Sequence, residues 1–179
     1  MTCIVGLVDK KNNSVIIGGD SAGVSDLNIT VRTDKKVFYN GDFLIGGAIS
    51  FRMIQLLRFS LKPPPVNTSD IYRYMCTDFI SEVQRCFEQG SFQQDEDGGG
   101  RFLVGYKNRL FCIQEDFQVA ENSNGMDAIG CGGSFALGAL HSLIKTDDSS
   151  KIKVRRALEA ADVFSAGVCK PFKILETKK

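Results

Sequence analysis

The chain has 179 residues, with 22 basic and 21 acidic side chains and a net charge of +1. That length can bury a sizeable core without splitting, so one domain over residues 1–179 is expected. Near-neutrality gives no electrostatic case for nucleic acid or an anionic membrane as the main partner, and no apolar run approaches the roughly 20 residues that span a bilayer.

In chain order, Thr2 to Val8 and Ser14 to Gly19 are β-rich runs around a polar turn, Asp9-Lys10-Lys11-Asn12-Asn13, and read as a hairpin. Ile29 to Arg32 and Lys36 to Tyr39 flank Thr33-Asp34-Lys35 as a second pair, and Phe43 to Ile49 follows the turn dipeptide Asn40-Gly41. From Ser50 the period changes to helical, with Met53, Ile54, Leu56, Leu57 and Leu61 on one stripe until Pro63-Pro64-Pro65 stops it. Thr68 or Ser69 caps a further helix through Tyr72, Met75, Phe79, Val83 and Phe87 to about Gly90. Ser91 to Gly100 is polar, acidic and glycine-rich and reads as a loop; its part from Asp95 to Gly100 is a candidate ring or partner contact, with a solvated loop as the blander alternative. Arg101 to Tyr106, Arg109 to Gln114 and Phe117 to Glu121 are strands, and another ends at Gly130. Helices open at Gly132-Gly133-Ser134 and over Lys151 to Phe164, and Cys169 to Leu175 closes as a strand. Strands, two helices, strands, two helices and a strand pack most simply as an α+β, four-layer αββα sandwich: two antiparallel sheets face to face, each covered by a helix pair.

Six cysteines (Cys3, Cys76, Cys86, Cys112, Cys131, Cys169) are dispersed without a C-x-x-C pair, and His141 is the lone histidine. They are expected to be reduced, small hydrophobic residues, not disulfides or zinc ligands. The opening residues show no basic stretch leading into an apolar run, so a cytoplasmic protein is expected. No metal or other cofactor is anticipated.

Chemistry enters at Thr2. With Met1 removed, Thr2 carries a hydroxyl and a free α-amine on one residue, a nucleophile and its own base within hydrogen-bond reach. That is the equipment of an N-terminal-nucleophile amide hydrolase, although an ordinary first-strand threonine would look the same.

Four further motifs accompany it. Thr2-Cys3-Ile4-Val5-Gly6, Gly18-Gly19-Asp20-Ser21, Asp34-Lys35-Lys36-Val37, Ile129-Gly130-Cys131-Gly132-Gly133 and Asp162-Val163-Phe164-Ser165-Ala166-Gly167 together resemble, in order and at similar spacings, the proteasome β-subunit and HslV family of threonine proteases (Ntn hydrolases). The resemblance runs along essentially the whole chain. It implies that Thr2 supplies the attacking oxygen, that Lys36 lowers the proton affinity of nucleophile and amine by its charge, and that Asp20 holds Lys36 in place. Lys35, one position earlier, should face the other way. Asp162 and Ser165 would orient the amine and its water, being three residues apart at a helix end.

Three departures accompany the likeness. Cys131 stands where the family usually has serine, a weaker hydrogen-bonding group. Ser50 falls near the oxyanion-hole glycine, where a backbone N–H donates whatever the side chain. Asp20 is two residues further from Thr2 than is usual, which an enlarged first turn absorbs. By position Phe38, Ala48 and Arg52 would border the specificity pocket.

The family further implies homo-oligomeric rings, hexameric or heptameric and stacked, that admit polypeptides through an ATP-dependent unfoldase. No G-x-x-x-x-G-K-[ST] motif is present, so such an unfoldase would be a separate chain. Two rival readings stay open: an Ntn amidohydrolase or peptide ligase acting on another amide, and a catalytically silent ring or scaffold subunit if Met1 is retained.

Overall fold

Asp9 organises the first turn. In the computed structural model, which describes residues 1–93 and 100–178, its Oδ1 accepts the N–H groups of Lys11 and Asn12, each at 3.0 Å, and thereby joins β1 (Ile4–Asp9) to β2 (Ser14–Gly19). The other edge of β1 takes β10 (Met126–Ile129), and β2 takes β11 (Lys173–Glu176), giving the sheet order β10-β1-β2-β11 with antiparallel pairing throughout. A second antiparallel sheet runs β5 (Val37–Asn40), β6 (Phe43–Gly47), β7 (Phe102–Tyr106), β8 (Arg109–Ile113) and β9 (Val119–Ala120).

Apolar periodicity decides what covers each sheet. The helices α1 (Phe51–Phe59), α2 (Ile71–Tyr74) and α3 (Ile80–Gln89) contribute Met53, Leu57, Tyr74 and Val83 to a cluster that also holds Phe38, Ile45, Val104 and Phe111 of the second sheet. On the first sheet, α4 (Gly133–Leu143) and α5 (Ser150–Phe164) bring Ala136, Leu140, Val154 and Leu158 onto Val5, Leu7 and Ile16. A third cluster draws Ile4 and Ile17 from one sheet and Val37, Leu44 and Leu103 from the other, so the sheets face each other. Burying each such aliphatic or aromatic side chain contributes about 1.5–3 kcal/mol. Among the described residues no helix is long and apolar enough to cross a membrane.

Several expected details differ. Asn28–Val31 (β4) pairs with Ala22–Ser25 (β3) in a separate two-stranded sheet, not with the strand that follows Lys36. Alternation marks a strand but not its partner. The second helical run contains a π-helical stretch, Met75–Phe79, between α2 and α3, and Tyr72 lies 44% exposed while Ile71 and Tyr74 turn inward. The closing strand begins at Lys173 and not Cys169, because Pro171 has no N–H to pair and the Cys169 and Pro171 carbonyls are taken by Ser21. Of the acidic, glycine-rich loop, residues 94–99 lie outside the described residues.

Candidate active site

Pairing register brings the site together. Ile4 stands opposite Gly19 on one side and Ile129 on the other, so Asp20 and the Gly130-Cys131 segment flank the chain just before β1. A Cβ on Gly19 would lie 2.7 Å from Ile4 and 2.8 Å from Val37, and one on Gly46 would lie 2.7 Å from Ile4. Bare glycines at both positions let the sheets approach closely here. Lys36, immediately before β5, thus reaches across from the second sheet to the start of the first.

Its ammonium bridges two groups. Lys36 Nζ donates to Thr2 Oγ1 at 3.0 Å and to Asp20 Oδ1 at 2.9 Å, and the Lys36 and Asp20 side chains are 1% and 0% exposed. Asp20 also accepts from the N–H of Cys3 at 2.9 Å and of Ala22 at 2.8 Å, so its carboxylate is fixed by three donors. Lys35 is exposed while Lys36 is buried, although both precede β5 and so lie outside the strand whose alternation was expected to separate them. Beneath the site the Cys3 thiol is pushed up to about 12, by burial first and then by the Asp20 carboxylate, which makes it inert packing.

Backbone and thiol hold Thr2 from the opposite side. The Thr2 N–H donates to Cys131 Sγ at 3.3 Å, Cys131 Sγ donates to Thr2 O at 3.5 Å, and the Gly132 N–H reaches the same carbonyl at 3.3 Å. Gly130 has φ +89°, and a Cβ there would sit 2.2 Å from Thr2 O. Only glycine allows that approach. Ser165, the C-cap of α5 with extended backbone, turns its hydroxyl to Cys131 Sγ at 3.4 Å. Asp162 is not brought to this group: its carboxylate lies 3.6 Å from Lys170 Nζ, because Ser165 has left the helical path that would have stacked the two. Met1 packs where a Gly167 Cβ would be, and the Thr2 hydroxyl donates to Met1 O at 2.5 Å.

Ser50 is less free than its position suggested. Its N–H donates to Ala48 O at 3.0 Å, and its hydroxyl caps α1 by accepting from Met53 N at 3.2 Å. The tight turn so formed forces Ile49 to φ +77°, which is strained for a β-branched residue. Among the described residues no acceptor faces the Ile49 N–H. Of the three residues expected around a specificity pocket, Phe38 and Ala48 are buried in apolar clusters, and Arg52 is exposed, donating to Gly90 O at 3.1 Å. Phe51 is the ring that does adjoin the site, with its centroid 5.6 Å from Lys36 Nζ and 3.8 Å from the Arg32 guanidinium. No sequence signal marks this contact, since Arg32 and Phe51 are 19 positions apart on elements whose packing only the fold defines.

No protein-family model matches the sequence. Solved structures do. The BPH of Thiobacillus denitrificans, in complex with epoxomicin, superposes with a TM-score of 0.81 at 18% identity, covering 97% of each chain. Eukaryotic HslV from Trypanosoma brucei gives 0.68 at 20% identity over 98% of each chain, and Anbu (ancestral beta-subunit) from Yersinia bercovieri gives 0.68 at 15% identity over 98% of this chain and 81% of that one. Glycine-cleared sheets, a buried Lys–Asp pair at the chain start and near-complete superposition on such proteins agree on one architecture: this chain has the fold of the proteasome-like Ntn hydrolases.

Proposed function

We propose that the chain is a proteasome-like threonine endopeptidase subunit that hydrolyses peptide bonds of unfolded polypeptides, with Thr2 as the N-terminal nucleophile once Met1 is removed. The observation that carries the reading is the buried Lys36 ammonium, hydrogen-bonded to Thr2 Oγ1 at 3.0 Å and to Asp20 at 2.9 Å. A fixed positive charge there favours the alkoxide form of the hydroxyl and disfavours protonation of the amine, so the amine can take the proton directly or through a water. Thr2 Oγ attacks the substrate carbonyl, the leaving amine collects the proton, and water releases the acyl group from the ester. Oxyanion stabilisation is assigned to the Ala48–Ser50 turn, in which the N–H of Ile49 is better disposed than that of Ser50, already bound to Ala48 O at 3.0 Å. Cys131 and Ser165 position the amine. The subunit would form one domain, assemble in homo-oligomeric rings of six or seven in the cytoplasm, and receive chains from a separate ATP-dependent unfoldase.

A second reading turns on whether Met1 is removed. With Met1 in place the Thr2 nitrogen is a peptide amide that donates to Cys131 Sγ at 3.3 Å, and it has no basicity to offer; a chain that keeps Met1 would be a silent ring subunit. Intact mass decides between the two. The T. denitrificans protein was solved with epoxomicin, and a peptide epoxyketone is the matching probe: the active reading expects a chain beginning at Thr2 and one adduct on it. Thr2→Ala should abolish the adduct and lower peptide hydrolysis at least about a thousandfold with assembly intact. Hydrolysis by that variant at the parent rate would show the mechanism to be wrong.

A further inference from the structure

Phe51 opens α1 directly after the turn assigned to the oxyanion, is partly buried at the rim of the helix-side cluster, and lies 5.6 Å from the Lys36 ammonium. Arg32 fixes the ring. The guanidinium stacks 3.8 Å from its centroid and is itself clamped by Asp34 through two hydrogen bonds of 2.7 and 2.8 Å. The Arg32 backbone N–H donates to Ser21 O at 2.9 Å, which ties this arm to the residue that follows Asp20. Ring and guanidinium thus join the Asp20 side of the cleft to the α1 side, next to the nucleophile.

A carbonyl attacked by Thr2 Oγ must lie against the Thr2–Lys36 hydrogen bond with its oxygen toward the Ala48–Ser50 turn. With its acyl-side substituent set along Lys36, that side chain meets Phe51, the next residue of the chain, whose ring centroid lies 5.6 Å from the Lys36 ammonium. A bulky side chain there meets a ring that cannot swing away without breaking its stack on a doubly anchored guanidinium. A basic side chain would add a third cation beside Lys36 and Arg32. An acidic one finds Arg32 already neutralised by Asp34.

We infer that Phe51, held by Arg32, is the size-determining wall for the residue on the acyl side of the scissile bond, and that the site takes peptides with a small, uncharged side chain there. This rests on the Thr2 reading above and deepens it.

The test uses the chain beginning at Thr2 and peptide epoxyketones that carry Ala, Leu, Phe, Lys or Asp next to the reactive group, with the rate of adduct formation on Thr2 read by intact mass. The parent should react with the Ala probe at least about tenfold faster than with Leu or Phe. Phe51→Leu should shrink that ratio, and Phe51→Ala should invert it. Arg32→Ala should speed the Lys probe and weaken the preference for Ala over Phe, because the ring loses its anchor. If Phe51→Ala fails to fold, Phe51→Leu carries the comparison. Equal parent rates with Ala and Phe, or unchanged ratios in variants that still label at Thr2, overturn the inference and leave Thr2 as nucleophile. No adduct with any probe in the parent overturns the nucleophile assignment, and this inference with it.

Discussion

Asp20→Ala is the most demanding perturbation of this architecture. The carboxylate is fully buried and accepts from Lys36 Nζ at 2.9 Å, Cys3 N at 2.9 Å and Ala22 N at 2.8 Å. Its removal strands an ammonium whose remaining hydrogen-bond partner among the described residues is Thr2 Oγ1, and orphans two backbone donors. Breaking a buried pair from one side costs about 3–5 kcal/mol, and each orphaned buried donor about 1–3 kcal/mol, with overlap between these costs. A loss of about 4–6 kcal/mol is therefore expected, a large share of the roughly 5–15 kcal/mol that holds a typical domain together. Urea unfolding at fixed protein concentration measures it, with the Arg85–Glu82 pair, whose arginine is exposed, as control, where Arg85→Ala should leave the midpoint nearly unchanged. Adding Lys36→Met to Asp20→Ala should recover about 1–3 kcal/mol, because no stranded charge remains. A single variant that loses less than about 1 kcal/mol, or a double variant no more stable than the single, would refute the reasoning.

Other expectations follow from the same geometry. Burial pushes the Asp9 carboxyl up, but hydrogen bonds from the Asn12 N–H and side chain, the Ser150 hydroxyl and the Lys11 N–H outweigh it and hold the group below its ordinary range. A depressed carboxyl stabilises above its unfolded pKa and stops doing so as pH falls, so the stability gap between parent and Asp9→Ala in urea melts should be full near neutrality and narrow from about pH 4 downward; a gap independent of pH would contradict this. Native-state alkylation near neutral pH should reach exposed Cys76 and Cys131 first and spare Cys3 and Cys112, whose thiols burial pushes up to about 12; peptide mapping that finds Cys3 labelled as fast as Cys76 would argue against the packing described. Ile49→Gly should raise the urea midpoint, since relief of about 1–3 kcal/mol of strain at φ +77° exceeds the roughly 0.5–1 kcal/mol of added unfolded-state entropy, and a lowered midpoint would mean that no strain is stored there.

Much of this was legible before the fold was known, for local reasons. The first hairpin needs only two β-rich runs and a polar turn, and α1, α4 and α5 need only a 3.6-residue stripe with a stop. Lys36 and Asp20 were legible as types at a spacing, but their meeting depends on Gly19 and Gly46 clearing the sheet interface. The π-helical stretch left a trace that a simple stripe conceals. Met75, Phe79, Val83 and Phe87 recur every four residues, a period that drifts by about 40° per step on an α-helix and fits better where one turn is widened. Opaque to sequence were features set by one residue's backbone: Ile49 in a left-handed turn, Ser165 leaving its helix before it can stack on Asp162, and Asn28–Val31 choosing an earlier partner strand. Nothing in G-G-A-I-S distinguishes the residue whose N–H meets no acceptor among the described residues from its neighbour.

A buried ion pair is a poor device for stability alone, because two apolar side chains of similar volume at positions 20 and 36 would avoid the desolvation that Asp20 and Lys36 suffer. Its location argues for another purpose. The pair sits at the beginning of the chain, one ammonium hydrogen is directed at the Thr2 hydroxyl, and the opposite flank of Thr2 is cleared by Gly130 and lined by a thiol and a hydroxyl from separate elements. A structural pair would not require that second flank, where Gly130, at φ +89°, brings Thr2 O to 2.2 Å from where a Cβ would stand. Stability and chemistry therefore separate in the double variant: Asp20→Ala with Lys36→Met should regain much of its resistance to urea while remaining unable to form an adduct at Thr2.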